Sequence, residues 1–377
     1  MKKNRKIISV SLILLLVTSI IGVWYFNNNK QTSKTYTVLK DEKFGAVHLD
    51  TSLEDFFNDG FELGDSLNLS FSNGYVLNDL PLYSGYYVKA GGCLVVAYPG
   101  YEHIAVAKSS DVIWDEVGAK QGDTCTVTIN EKGKYLNVQE ALSQSYSYSR
   151  DDYESDIVFA NFRCLSGGNI KENKFYRGAS PFDNENNRAY EANNLVKENG
   201  IKFILDLADS QDDISNYFAD ENFKSEYAKQ LYENDKVAVL DLTAAYMNDT
   251  FKQTLADGLR KMMKNDGPVY IHCTEGKDRS GFVSLLFEGL SGATYDEMLL
   301  DYMTTYKNYY GITKETAPDK YNAIVDVYFN AYFENLLNSN DVSKFKDVDF
   351  VEACKNYLLS SGLTESEISD LIKYICE

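Results

Sequence analysis

The chain has 377 residues, enough for two ordinary domains, and its 44% hydrophobic and 25% charged content is that of a globular protein. Its 56 acidic against 37 basic residues leave a formal charge of −19, which excludes a general nucleic-acid binder, because that function needs a basic face. Three histidines (His48, His103, His272) and six cysteines exclude a histidine-rich metal site and a disulfide scaffold, so no metal and no cofactor is expected.

In chain order, Lys2, Lys3, Arg5 and Lys6 precede an uncharged, mostly apolar run of 20 residues, 7–26. At ~1.5 Å per residue, a helix of that length crosses the ~30 Å hydrocarbon layer. The run ends in Trp24-Tyr25-Phe26, like an interfacial aromatic belt, and has no Ala-x-Ala cleavage pattern. Residues 1–26 therefore read as an uncleaved signal anchor, a transmembrane helix, in preference to a cleaved signal peptide. Basic residues before the span place the N-terminus in the cytoplasm. The expected location is the cell membrane, single-pass, with the remaining domains extracytoplasmic, or secreted if the segment is cleaved.

Residues 27–35 read as a polar stalk and residues 36–136 as a small all-β domain, a sandwich or barrel. Within it Leu67, Leu69 and Phe71 alternate with polar residues, and Asn73-Gly74 is a hairpin-turn signal before Tyr75-Val76-Leu77. Cys93 to Tyr98 is an apolar run closed by Pro99-Gly100, and Thr124 to Ile129 alternates again. Tyr83, Tyr86 and Tyr87 read as β-core packing rather than as a binding surface, and pairing of Cys93 with Cys125 is left open. Residues 137–156, rich in Ser, Tyr and acids, read as a linker.

Residues 157–377 form the main domain. Arg188 to Asn199 reads as a helix stopped by Gly200. Lys202 to Leu207 and Val237 to Leu242 read as buried strands, Thr250 to Lys264 as a helix, and Val269 to His272 as a strand. Strands alternating with helices predict an α/β domain with a mainly parallel central sheet flanked by helices. Beyond Gly292 the chain reads as a helical C-terminal part: Tyr295 to Tyr309, Asp319 to Leu337, Asp349 to Leu359 and Glu365 to Tyr374. Thr364 and Glu367 have capping-box spacing.

One stretch carries chemistry. A short strand ends in His272-Cys273, five residues follow, and Arg279-Ser280-Gly281 opens an apolar helix. A loop of backbone N–H groups at a helix N-terminus can surround a tetrahedral oxyanion. Gly276 frees the backbone where φ must turn positive, and Arg279 can clamp the anion bidentately. A cysteine in such a setting reacts as its thiolate. His272 neighbours Cys273 on a strand, so their side chains point to opposite faces, and a Cys-His hydrolase is excluded.

The stretch His272-Cys273-Thr274-Glu275-Gly276-Lys277-Asp278-Arg279-Ser280-Gly281 resembles the active-site loop of the protein tyrosine phosphatase superfamily. Its Gly-Lys-Asp-Arg form is similar to bacterial tyrosine phosphatases that also act on phosphoinositides. Asn161-Phe162-Arg163, Phe175-Tyr176-Arg177, Leu205-Asp206-Leu207, Tyr246-Met247-Asn248-Asp249 and the helix of Tyr357-Leu358 also have counterparts there. The resemblance covers residues 157–375 and not the β domain. It departs at Glu275, where a small residue is usual, and at Cys164, where the subgroup has Asp.

The resemblance implies a cysteine-dependent phosphatase working through a phosphocysteine intermediate. Cys273 is the expected nucleophile, Arg279 the clamp, and Ser280 the hydroxyl that helps the thiolate leave. Asp249 is the expected general acid, with helix N-cap as its competing role. Asp241, placed within a strand, and Asp278 are further candidates. Thr274, Glu275, Gly276, Lys277, Asp278 and Arg279 are the expected substrate-binding residues. Asp206, Asp209, Asp212 and Asp213 read as a solvated acidic run, and Cys164 as a buried small residue. The expected substrate is a phosphorylated protein or a phosphoinositide. The competing readings are a phytase-like enzyme of soluble inositol phosphates and a non-catalytic phosphate-binding surface module.

Overall fold

The computed structural model describes residues 32–41, 44–89, 91–109, 111–339 and 341–377. The expected anchor over residues 7–26 lies outside them. Among the described residues, no helix is long and apolar enough to cross a membrane. The single-pass placement is corrected on that finding and is carried no further.

The β domain is a closed barrel of seven strands: β1 (Ser33–Lys40), β2 (Val47–Leu49), β3 (Ser66–Phe71), β4 (Val76–Tyr83), β5 (Cys93–Val96), β6 (Ile104–Lys108) and β7 (Thr124–Glu131), in the spatial order β1-β2-β6-β5-β4-β3-β7. β1 starts inside the expected stalk and closes the barrel by pairing antiparallel with both β2 and β7. Alternation puts Val38, Leu67, Leu69 and Val127 into the core, where all four are fully buried. Gly74, with φ +91°, makes the turn between β3 and β4. Tyr83 packs in the barrel's second apolar cluster, with Tyr86 and Tyr87 against it. Cys93 and Cys125 are both free, as are the other four cysteines, so the Cys93–Cys125 pairing is not made.

Two short helices belong to the barrel, α1 (Leu53–Asn58) and α2 (Trp114–Val117), and α3 (Leu136–Leu142) leads out of it. The two domains share apolar packing. Leu142 is part of the main domain's core, with Tyr87 and Val138 packed against it. Lys89 reaches across to Glu334, 2.9 Å away.

The main domain opens with α4 (Asp156–Phe159), β8 (Arg163–Cys164), β9 (Phe175–Gly178), α5 (Ala189–Glu198) and β10 (Phe203–Asp206). It continues with α6 (Gln211–Ala219), α7 (Glu226–Glu233), β11 (Val237–Val239), α8 (Asp249–Met263), β12 (Val269–His272) and α9 (Asp278–Leu290). The sheet order is β11-β10-β12-β9-β8. Its strands are parallel except β8, which runs antiparallel to β9 at the edge. β12 lies in the middle and is buried along its length, as a parallel strand covered on both faces must be. Its carboxyl end delivers Cys273 to the position where parallel sheets present their ligands.

The C-terminal part is helical: α10 (Tyr295–Tyr310), α11 (Pro318–Ile324), α12 (Asn330–Leu337), α13 (Phe350–Ser360) and α14 (Glu365–Cys376). The single helix expected from Asp319 to Leu337 is interrupted by a π-helical turn, Val325–Phe329. Thr364 and Glu367 form the capping box that starts α14. Ser280 to Leu290 of α9 are buried on every side, because the sheet and the C-terminal helices enclose that helix.

Candidate active site

Cys273 follows β12 directly and is buried at the base of the loop that ends in α9. The loop is pinned from outside through its carbonyl oxygens. Ser180 N donates to Thr274 O at 3.1 Å. The Tyr309 hydroxyl donates to Glu275 O at 2.7 Å. Arg177 Nη2 donates to Gly276 O at 2.9 Å and to Lys277 O at 3.0 Å. The Tyr332 hydroxyl donates to Asp278 O at 3.3 Å. A tight loop whose carbonyls all face outward turns its N–H groups inward. Among the described residues, none accepts a hydrogen bond from the N–H groups of Thr274, Glu275, Gly276 or Lys277. Free donors at the N-terminus of a 13-residue helix form an anion site.

Gly276 makes this curvature possible. Its φ is +68°, and a Cβ there would lie 2.2 Å from the carbonyl of Gly178 at the end of β9. Arg177 is fully buried and is held, with Arg163, by Asp301. Burial would raise the Asp301 carboxyl, but the two guanidinium groups outweigh it and hold it below the usual range. Burial beside that carboxylate pushes Glu288 well up. Arg177 thus braces the loop through its carbonyls, and Asp301 ties Arg163 to it.

Arg279 Nη1 donates to Leu242 O at 2.9 Å and Nη2 to Thr274 Oγ1 at 3.4 Å, which aims the guanidinium across the loop. Burial would lower Arg279, but Cys273, Tyr246, Asp278 and Asp206 keep it raised. His272 is fully buried, and burial drives it down to about 3, so it stays neutral. Ser280 is fully buried at the start of α9, and among the described residues its Oγ has no hydrogen-bond partner.

Glu275 does not turn to Arg279. Its carboxylate accepts from the Tyr146 hydroxyl of the inter-domain segment and lies 3.0 Å from Lys277 Nζ. Burial opposes its ionisation, but Lys277 and Tyr146 prevail, and its pKa is lowered. Lys277, also 3.8 Å from Asp278, is neutralised locally rather than free for a second phosphate.

Cys273, Thr274, Glu275, Lys277, Asp278 and Arg279 line one cavity of about 1450 Å³. Asp249 does not line it: this residue is exposed at the first position of α8, where Asn248 is the cap. Asp241 does line the cavity, because β11 stops at Val239 and leaves Asp241 beyond it at φ +47°. The acidic run is also corrected. Asp206 and Asp209 are 0% and 4% exposed, and Asp213 caps α6 with Ser210. Burial raises Asp209 to about 6, against a hydrogen bond with Asp206 that pulls it down, while burial and the Asp209 charge raise Asp206 well above its ordinary value. Sequence reasoning missed Tyr146, Asp183 and the barrel residues in the cavity wall; nothing local marks them, since Tyr146 and Glu275 are 129 positions apart.

Asp206, Asp209 and His272 also lie close enough together to hold one ion, and the positive charge of Arg279 acts on both Asp209 and His272.

No curated protein matches the chain. A fragment is similar to a solved structure, an uncharacterized conserved protein from Thermotoga maritima, at 15% identity and a TM-score of 0.22. That match covers 25% of this chain and 35% of the other, so the chain spans about a third of that protein's length; so slight a likeness bears on neither fold nor function. Residues 159–377, more than half of the chain, match the family model described as the tyrosine phosphatase family. The chain belongs to the tyrosine phosphatase family, and its main domain is a tyrosine-phosphatase-like phosphoric monoester hydrolase.

Proposed function

We propose that the protein hydrolyses phosphotyrosine esters through a phosphocysteine intermediate on Cys273. The observation that carries this reading is the loop from Cys273 to Arg279, with its carbonyls anchored outward and its amides left free. The thiolate attacks phosphorus and forms the S–P bond. The ester O–P bond breaks, and the leaving oxygen takes a proton from a general acid. Water then attacks the phosphocysteine, giving its proton to the same carboxylate, and phosphate leaves with the thiolate restored. The inward amides and Arg279 hold the equatorial oxygens, where charge accumulates in the transition state. Ser280 supplies a hydroxyl beside the departing sulfur.

Asp278 is the proposed general acid in place of Asp249. It lines the cavity within the loop, one residue before Arg279, whereas Asp249 does not reach the cavity. A proton donor of this kind contributes ~10²–10⁴-fold. Asp278→Asn is expected to lower kcat by that order on phenyl phosphate and by less on para-nitrophenyl phosphate, whose leaving group needs little protonation. Equal losses on both esters would remove Asp278 from this role. Cys273→Ser is expected to abolish turnover of either ester, and a Ser variant as active as the parent would overturn the assignment of the site.

A further inference from the structure

The cavity above Cys273 is larger than a phosphate ester requires. Its volume is about 1450 Å³, against ~300–1,000 Å³ for the pocket of a small ligand. The extra wall comes from the β-barrel, through Phe44, Tyr86, Tyr98, Tyr101 and Trp114. Tyr98 comes near enough to the catalytic loop that Glu275 and Lys277 act on its ionisation, after burial, the larger cause of its raised pKa. Large apolar side chains left open to solvent gather here. Phe44 (47% exposed), Tyr98 (44%), Val112 (38%) and Tyr148 (51%) all line this cavity.

The charge of the wall is one-sided. Among the described residues lining it, ten carry a carboxyl group and four a basic group. Two of those four are already matched: Lys277 by Glu275 and Lys108 by Asp111 and Glu116. Arg279 belongs to the loop. Asp209 is 4% exposed; its Oδ1 accepts from the Tyr217 hydroxyl at 3.3 Å, and among the described residues its Oδ2 has no hydrogen-bond partner beyond the neighbouring Asp206 carboxyl. Such a wall repels a polyanion. An inositol polyphosphate or a multiply phosphorylated headgroup would place its extra phosphates beside carboxylates, where like charges repel. Ammonium and guanidinium groups gain ion pairs from the carboxylates and cation–π contacts from the rings.

We propose that the cavity takes a phosphotyrosyl polypeptide segment flanked by basic residues. The barrel wall binds the flanks while the catalytic loop holds the phosphate. This rests on the hydrolase reading above and gives the barrel a role in choosing substrate.

The test uses the whole protein and phosphotyrosyl peptides matched in length, with Lys/Arg, Ala or Asp/Glu flanks. Inositol hexakisphosphate, phosphoinositide vesicles and para-nitrophenyl phosphate complete the set. The expected kcat/KM is about tenfold or more higher for the basic than for the acidic peptide at low ionic strength, with the ratio shrinking as salt rises. In the double variant Asp115→Lys and Glu185→Lys, the basic-to-acidic ratio is expected to fall toward one. A ratio taken on one enzyme is not moved by a general loss of activity. Equal rates on the three peptides, an unchanged ratio in the double variant, or faster turnover of the inositol phosphate or the vesicles would each overturn the proposal. If para-nitrophenyl phosphate is hydrolysed without any peptide preference, only this proposal falls. If no ester is hydrolysed, the hydrolase reading falls and takes the proposal with it.

Discussion

Gly276→Ala puts the loop geometry under a direct strain. The backbone there has φ +68°, and the added methyl would lie 2.2 Å from the carbonyl carbon and oxygen of Gly178. A left-handed conformation costs an L-residue ~1–2 kcal/mol. The contact is with backbone that has little freedom to yield. Gly178 pairs with His272 in the sheet, and Ala179 N bonds to Ala160 O at 2.8 Å. Overpacking of this kind adds ~1–3 kcal/mol, so the two terms together reach about 2–5 kcal/mol. If the loop moves instead, a misplacement of ~1 Å lowers turnover by ~10²-fold. Gly200→Ala is the matched control, since its φ is +64° and nothing lies within 4 Å of the new methyl. Urea unfolding and kcat/KM on para-nitrophenyl phosphate, measured for both variants, separate the terms. Gly200→Ala is expected to lose ~1–2 kcal/mol with unchanged turnover, and Gly276→Ala to lose more stability, or turnover, or both. Indistinguishable behaviour of the two variants in both assays would refute the close approach on which the loop's shape depends.

Two further outcomes follow from buried charge. Asp301→Asn removes the carboxylate shared by Arg163 and Arg177, and is expected to cost ~3–5 kcal/mol in urea unfolding and to lower kcat/KM as the loop loses its brace; a variant with parental stability and rate would show that Arg177 does not hold the loop. Burial raises Asp209 from 3.8 to about 6, so its stabilising contribution is present below pH ~4 and is lost as pH climbs through about 6, by ~3 kcal/mol. Asp209→Asn is therefore expected to be more stable than the parent at pH 8 and to lose less stability between pH 4 and 7; equal pH slopes for the two proteins would refute the assignment.

Much of the loop from Cys273 to Arg279 is legible in the sequence because it is local. A strand, a tight turn with glycine and an arginine at the helix start occupy consecutive positions, and each follows from backbone rules. The alternation of Leu67, Leu69 and Phe71 likewise identifies a barrel strand. Errors of one or two residues at element ends change roles. Asn248 rather than Asp249 caps α8, and β11 stops early enough to release Asp241 into the cavity. What the sequence hides is set by distant partners. Glu275 reads as an acid beside an anion site until Tyr146 and Lys277 are seen to turn it aside. Asp206 and Asp209 look solvated because an acidic run usually is, and only tertiary packing buries them. The barrel's share of the cavity wall depends on how two domains meet, which no local pattern encodes.

Phosphoryl transfer through Cys273 leaves an intermediate that can be trapped. The protein is mixed with a phosphotyrosyl peptide, quenched in acid within a turnover, digested and analysed by mass spectrometry. One added phosphoryl group is expected on the peptide that carries Cys273, absent in Cys273→Ser. Turnover with the phosphoryl group on another residue, or sustained hydrolysis by Cys273→Ser, would contradict phosphoryl transfer through Cys273.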